Sequence, residues 1–298
     1  MSIDNHAVSA GARCACLCTA LAFATTAAAL EITPGDYEPL PADTTALLLY
    51  YQHAERSTFR QGGDTLSDDF RMRSDIGLLR LIHGIRLADR VSFEPQFILP
   101  FGHLHAAGEA AGLGQASGLG DLILGAPLKF SLDTPGRDVL AFGPYLYLPT
   151  GRYHGDDALN LGENRWRLLL QAAYIHHFSE RWAVDTAADV SWFSRNHDFG
   201  ASGAILEQKP TYEYQAYLRY QWTPRTTLGF GGGHIEGGRT RVDGVDQDDR
   251  LASSYLRLTI AHFIEPTLQV QLQWGKDVSV EQGFEERSRV NLRLTKLF

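Results

Sequence analysis

From about residue 43 to its last residue, this chain alternates. Apolar and polar side chains take turns in stretches of about ten residues, the two-residue period of an extended strand whose two faces meet different surroundings. VSFEPQFILPF (91–101) puts Val91, Phe93, Pro95, Phe97, Leu99 and Phe101 on one face, and Ser92, Glu94, Gln96, Ile98 and Pro100 on the other. YEYQAYLRYQW (212–222) sets Tyr212, Tyr214, Ala216, Leu218, Tyr220 and Trp222 against Glu213, Gln215, Tyr217, Arg219 and Gln221. WAVDTAADVSW (182–192) and TLQVQLQW (267–274) repeat the pattern, and the chain stops on it, with Phe298, Lys296, Leu294, Leu292 and Val290 opposite Leu297, Thr295, Arg293, Asn291 and Arg289. No convincing long helix-period stretch competes. After residue 30 no apolar run approaches the roughly 18 residues that a membrane helix needs.

Twelve such segments can be marked, near 43–53, 70–86, 89–101, 118–131, 138–150, 163–178, 181–195, 208–222, 225–237, 248–263, 266–277 and 284–298. The first two alternate least well: TALLLYY is apolar on both faces, and Arg80 stands between Leu78 and Ile82. The connections take turns in length. Short ones fall at 88–90, 133–138, 179–181, 223–225 and 264–266, and longer ones at 54–69, 102–117, 151–162, 196–207, 238–247 and 278–283. An even number of strands with tight turns at one end and long loops at the other is the pattern of an all-β, transmembrane, antiparallel up-and-down β-barrel; a sandwich has no reason to sort its loops this way. Trp182 and Trp192 are ten residues apart, as are Tyr212 and Trp222. At ~3.3 Å per residue and a tilt near ~40° this spans roughly 25 Å, the height of a barrel's apolar band. Trp166, Trp182, Trp192, Tyr212, Trp222, Trp274 and Phe298 are therefore the expected membrane-interface aromatics.

Residues 1–29 read as a cleaved signal peptide. Arg13 precedes the apolar run CACLCTALAFA (14–24), and Ala27 and Ala29 occupy small-x-small positions with the cut after Ala29. Such a leader implies export, and with a barrel it implies the bacterial outer membrane. Cys14, Cys16 and Cys18 all lie in the leader, so the exported chain is expected to have no disulfide. Asp4 and Arg13 cancel, leaving the net charge of −8 on the remainder, which speaks against a nucleic-acid partner. Residues 30–42, which hold all but the last residue of the proline-rich EITPGDYEPLPAD (31–43), form an N-terminal periplasmic segment that either plugs the barrel (43–298) or hangs free.

With the apolar set facing lipid, the polar set lines the lumen. Its charged members include Glu94, Asp121, Lys129, Arg165, Arg167, Asp185, Asp189, Glu213, Arg219, Arg257, Arg289 and Arg293, and Arg165 and Arg167 on the sixth strand are expected to face Asp185 and Asp189 on the seventh. Charges in so narrow a barrel must be paired or hydrated. They form either a structural ion-pair network or a polar pathway that selects solutes; one network could do both. Candidate hydrolytic groups are His103 and His105, then His154, Asp156 and Asp157, then NHDFGASG (196–203), all on long loops without a nucleophile–base–orienter pattern. No catalytic residue, metal or cofactor is expected. The glycines of GEAAGLGQASGLGD (108–121) do not stand between a strand and a helix, so a phosphate loop is excluded.

Several stretches together resemble the family named for the meta-pathway of phenol degradation, outer-membrane transporters of barrel form. They are GLGDLILGAPLKF (118–130), GPYLYLPTGRY (143–153), LNLGENRW (159–166), SERWAVD (179–185), PTYEYQAYLRYQWTPR (210–225), GGRTRVDG (237–244) and VEQGFEERSRVNLRLTKLF (280–298). The resemblance implies passive uptake of small hydrophobic or aromatic compounds and carries no catalytic residues. The competing reading is a non-transporting barrel, either structural or a loop-based lipid-modifying enzyme. Expected partners are outer-membrane lipids, small solutes, and the barrel-assembly machinery reading the C-terminal strand, whose terminal aromatic resembles its recognition signal.

Overall fold

The structure is a computed structural model describing residues 31–298; the leader and its three cysteines lie outside the described residues. Twelve antiparallel strands close into a barrel. They are β1 (Thr45–Gln61), β2 (Phe70–His83, continued by Ile85–Ala88), β3 (Val91–Phe93 and Gln96–Gly108), β4 (Gln115–Leu119, Leu122–Gly125 and Leu128–Ser131), β5 (Val139–Leu148), β6 (Arg167–His177), β7 (Trp182–Phe193), β8 (Thr211–Thr223), β9 (Thr226–Gly237), β10 (Leu251–Glu265), β11 (Leu268–Val280) and β12 (Gly283–Leu297). Each strand pairs with its neighbours in sequence, and β1 pairs with β12 from Ala46 opposite Leu297 to Arg60 opposite Gly283. The seam ends on Phe298, whose backbone N–H donates to the Thr45 carbonyl at 2.9 Å and whose carbonyl accepts from the Thr45 N–H at 3.1 Å. Closure leaves no free barrel edge, which a bilayer requires.

The alternation puts polar groups inside and apolar groups outside. The chain's five tryptophans are all exposed, from 41% for Trp192 to 58% for Trp222, and Tyr212 and Phe298 are exposed too. Glu94, Lys129 and Arg257 are at most 3% exposed. In water this arrangement would be costly on both counts. With hydrocarbon outside, the exposed leucines, phenylalanines and tryptophans are where they belong, and the buried charges satisfy one another across the lumen.

The weak first strand is explained by what fills the barrel. Leu47, Leu49 and Tyr51 face out, while Ala46 and Leu48 face in and pack with Ile82 and with Leu40 of the N-terminal segment. At the long-loop end part of the lumen is apolar. The Phe59, Phe70 and Phe284 rings lie 5.2–5.3 Å apart, and Leu159 and Leu161 of the β5–β6 connection fold inward onto this cluster.

Several strand limits differ from the sequence reading. β1 runs to Gln61 and β3 to Gly108, so about half of 54–69 and of 102–117 is wall rather than loop. Polar and charged side chains such as Glu55 and His105 broke the apolar pattern there without breaking the ladder. Pro95 and Pro127, which lack an amide proton, interrupt β3 and β4. Parts of the 196–207 and 238–247 connections are also ordered: Asn196–Phe199, Ala204–Gln208, Thr240–Val242 and Val245–Asp246 form a separate four-stranded sheet. The expected opposition of Arg165 and Arg167 to Asp185 and Asp189 is corrected. Arg165 precedes β6, Arg167 lies opposite Phe193, and Asp189 and Asp185 lie opposite Gln171 and Ile175. The tight turn after His177 sets this register, and alternation alone could not specify it.

Candidate functional site

The lumen is occupied by residues 31–43. Thr33-Pro34-Gly35-Asp36 makes a tight turn: the Asp36 N–H donates to the Thr33 carbonyl at 3.0 Å, and Gly35 has φ +87°. Proline followed by a glycine with positive φ is the signature of a type II turn. Gly35 also donates its N–H to Asp185 Oδ2 at 2.7 Å. A space has been left for this turn. On β9, a Cβ on Gly229 would sit 2.4 Å from Pro34 Cγ.

Three acids of the segment meet basic side chains of the wall. Glu31 accepts from Arg257 at 2.8 and 3.1 Å, from Arg289 at 3.2 Å and from the Tyr217 hydroxyl at 3.2 Å. Asp36 accepts from Arg293 at 2.7 Å and from the Thr33 hydroxyl at 2.7 Å, with Arg80 at 3.9 Å. Glu38 meets Arg219 at 2.5 Å and His177 at 2.9 Å. Between them the Tyr37 hydroxyl contacts Tyr145 at 3.2 Å and donates to Gln171. Lys129, itself paired with Glu94 at 2.6 Å, donates to the Asp36 and Glu38 carbonyls at 3.1 and 2.9 Å. These contacts reach β2 through β8, β10 and β12, so the segment is clamped from almost every side.

The electrostatics follow from this placement. Burial pushes the Asp36 and Glu38 carboxyls up. The cations Arg293 and Arg80, and Arg219 and His177, more than cancel it, so both carboxyls sit below their ordinary range. The cavity beside the turn, lined by Tyr37, Arg80, Lys129, Tyr145 and Arg293, holds only about 40 Å³, room for little more than a water molecule.

The other predicted lumen residues fall into groups. Asp185 bridges the Gly35 amide and Arg219, the latter at 3.1 Å. Asp189 accepts from Gln171 at 3.1 Å and Glu213 accepts from the Tyr255 hydroxyl at 2.6 Å. Arg257 and Arg289 share Glu286 at 3.3 and 2.8 Å as well as Glu31, and Arg56 joins Glu286 at 2.9 Å. Asp121, Arg165 and Arg167 stand apart from the N-terminal segment, toward the long-loop end. Asp121 accepts from the Gly151 and Glu163 amides, both at 2.8 Å. Arg165 holds Glu163 at 2.6 and 2.9 Å, and Arg167 stacks on Tyr147 with its guanidinium carbon 4.6 Å from the ring centre. Sequence reasoning missed Glu31, Asp36, Glu38, Arg80, His177 and Glu286. The signals available were the acids around the Pro-Gly turn, Arg80's place among inward leucines, and the GFGGG run (229–233).

Of the hydrolytic candidates, Asp156, Asp157, Asn196 and Phe199 line one cavity, but among the described residues no histidine or serine lines it with them. His103 Nδ1 lies 2.7 Å from Ser117 Oγ on the outer wall and His234 Nδ1 lies 2.8 Å from Ser254 Oγ, and neither ring is joined to a carboxylate among the described residues. Among those residues no three His, Cys, Asp or Glu side chains are arranged to hold a metal ion.

Residues 54–294 match the profile of a family described as "Putative MetA-pathway of phenol degradation". The chain belongs to this family. It is 47% identical to the COG4313 outer membrane channel from Pseudomonas putida F1, whose crystal structure superposes with a TM-score of 0.89 over 90% of this chain and 100% of that one. The family member described here is thus an outer-membrane β-barrel. The β domain of the Bordetella autotransporter BrkA is 10% identical with a TM-score of 0.54, over 85% of this chain and all of that one, which reflects the shared barrel alone. No functionally curated protein matches the sequence.

Proposed function

We propose that this barrel is a passive channel for small hydrophobic or aromatic compounds, that residues 31–43 are its plug, and that the solute path runs along the inner wall once the plug shifts. The observation that carries this reading is the match between an acidic segment and a basic lumen. Glu31, Asp36 and Glu38 pair with Arg80, Arg219, Arg257, Arg289 and Arg293, groups that would otherwise line an open pore. A purely structural filling would be better served by apolar side chains, because breaking even between desolvation and attraction is the usual outcome for a buried ion pair. Glu94, Asp121, Arg165, Arg167, Asp185, Asp189 and Glu213 complete the proposed path. Trp166, Trp182, Trp192, Tyr212, Trp222, Trp274 and Phe298 are inferred to sit toward the membrane interfaces, where amphipathic rings are favoured. The 47% identity to an outer membrane channel supports transport over catalysis.

The test is solute entry into liposomes carrying the refolded, leader-free chain. Benzoate-like anions are compared with sugars and inorganic ions of matched size, since phenols cross lipid unaided. Selective entry of the aromatic anions, altered by Arg219→Gln, supports the reading. Entry no faster than into empty liposomes, with or without residues 31–42, refutes it.

A further inference from the structure

A second chamber lies away from the plug. The β5–β6 connection and the Asn196–Gln208 region enclose a cavity of about 260 Å³, large enough for one monocyclic aromatic molecule. Its apolar surfaces come from the Tyr153 and Phe199 rings, Leu206, and the small side chains of Ala158 and Ala201. Aromatic and aliphatic walls with a few polar groups are the usual make-up of a small-molecule site.

The polar groups decide the ligand's chemistry. Most are already satisfied. The Tyr153 hydroxyl donates to the Asp198 carbonyl at 2.8 Å and accepts from Asn196 Nδ2 at 2.9 Å. Asn160 accepts from the His154 amide at 2.9 Å and donates to the His154 and Asp157 carbonyls, both at 3.0 Å. Arg165 is neutralised by Glu163, and its remaining Nη1 is buried without a hydrogen-bond partner, as is Glu163 Oε1. Both atoms are thus able to take a further hydrogen-bond partner, water or ligand. Also lining the chamber are Asp156 and Asp157, to whose carboxylates no described residue donates. The chamber therefore offers one unpartnered donor, Arg165 Nη1, and several acceptors, with three carboxylates against a single guanidinium. A carboxylate ligand could accept from Arg165 but would be repelled by Glu163, Asp156 and Asp157. A hydroxyl or amino group carries no charge to repel and can donate to an acid.

We propose that this chamber binds a small monoaromatic molecule carrying a hydrogen-bond donor, its ring between Tyr153, Phe199 and Leu206 and its hydroxyl or amino group on Asp156 or Asp157. The chamber then acts as a capture site ahead of the lumen for uncharged aromatic solutes, and aromatic anions enter without it. That role rests on the channel reading above; the binding does not.

The test uses the refolded, leader-free chain in lipid nanodiscs, with 4-fluorophenol and 4-fluorobenzoate followed by fluorine NMR. Empty nanodiscs supply the partition background. Saturable 4-fluorophenol binding is expected. It should weaken at least tenfold in Ala201→Trp and in Ala158→Trp, each of which puts a large ring at an exposed loop position lining the chamber. Asp156→Asn/Asp157→Asn should also weaken fluorophenol binding and bring fluorobenzoate binding closer to it, because the new amides can donate to a carboxylate. The proposal is overturned if fluorophenol shows no saturable component above empty nanodiscs. It is equally overturned if both filled variants titrate as the wild type, or if fluorobenzoate binds the wild type as tightly as fluorophenol. Saturable binding without solute flux would support the chamber and refute the channel. Flux without binding would do the reverse.

Discussion

Neutralising the plug's two most buried acids should open the barrel without unfolding it. In the double variant Glu31→Gln/Asp36→Asn the wall keeps every residue, and Arg257, Arg289 and Arg293 lose their anionic partners in the segment. Glu31 and Asp36 are largely enclosed, with side-chain exposures of 7% and 14%. A hydrogen bond to a charged group contributes about 1.5–3 kcal/mol. Taking one such net loss per acid gives roughly 3–6 kcal/mol, which lowers the ratio of docked to undocked segment by about 10² to 10⁴. The true loss is smaller where a glutamine or asparagine amide keeps one bond. Single-channel recording in planar bilayers reads the outcome: wild type should show brief, rare openings, and the double variant a longer-lived open level approaching that of a chain lacking residues 31–42. Heat-modified electrophoretic mobility and far-ultraviolet dichroism should be unchanged, because the barrel ladder does not involve the segment. If the truncated chain conducts well and the double variant still conducts like wild type with its barrel intact, the ion pairs do not hold the plug.

Three further outcomes follow from the same geometry. Gly229→Val would place a side chain where Pro34 now lies, with even its first carbon at 2.4 Å; the open probability should rise, whereas Gly112→Val, at a loop position with no atom within 4 Å, should leave conductance as in wild type. Acidification should also favour opening: docking lowers the Asp36 and Glu38 carboxyl pKa values, so docked stability is full above their ordinary values and is lost as pH falls through the lowered ones, giving a rise in conductance below about pH 4 that the double variant should show only weakly. Phe298→Ala keeps the two backbone bonds to Thr45 but removes a ring that is 70% exposed; the yield of heat-modifiable barrel in membranes should fall while the conductance of the assembled fraction is unchanged.

The barrel was legible because a membrane strand is a local object. Each side chain's face follows from parity, and every buried Glu213, Gln215 or Gln273 has an exposed Tyr212, Tyr214 or Trp274 beside it. Sequence alone therefore determined the strand number, the inside-out distribution, the tryptophans on the outer wall and the polar lumen. It could not determine pairs, because which inward charge meets which depends on register, and register is set by turns such as the one after His177 that place Gln171 rather than Arg167 opposite Asp189. Nor could it place residues 31–43. Their docking joins Glu31 to Arg257, 226 residues away, and Asp36 to Arg293, 257 residues away, and no local pattern encodes a contact of that separation. Only the closed barrel brings those arginines around one axis, where a short acidic turn can reach them all.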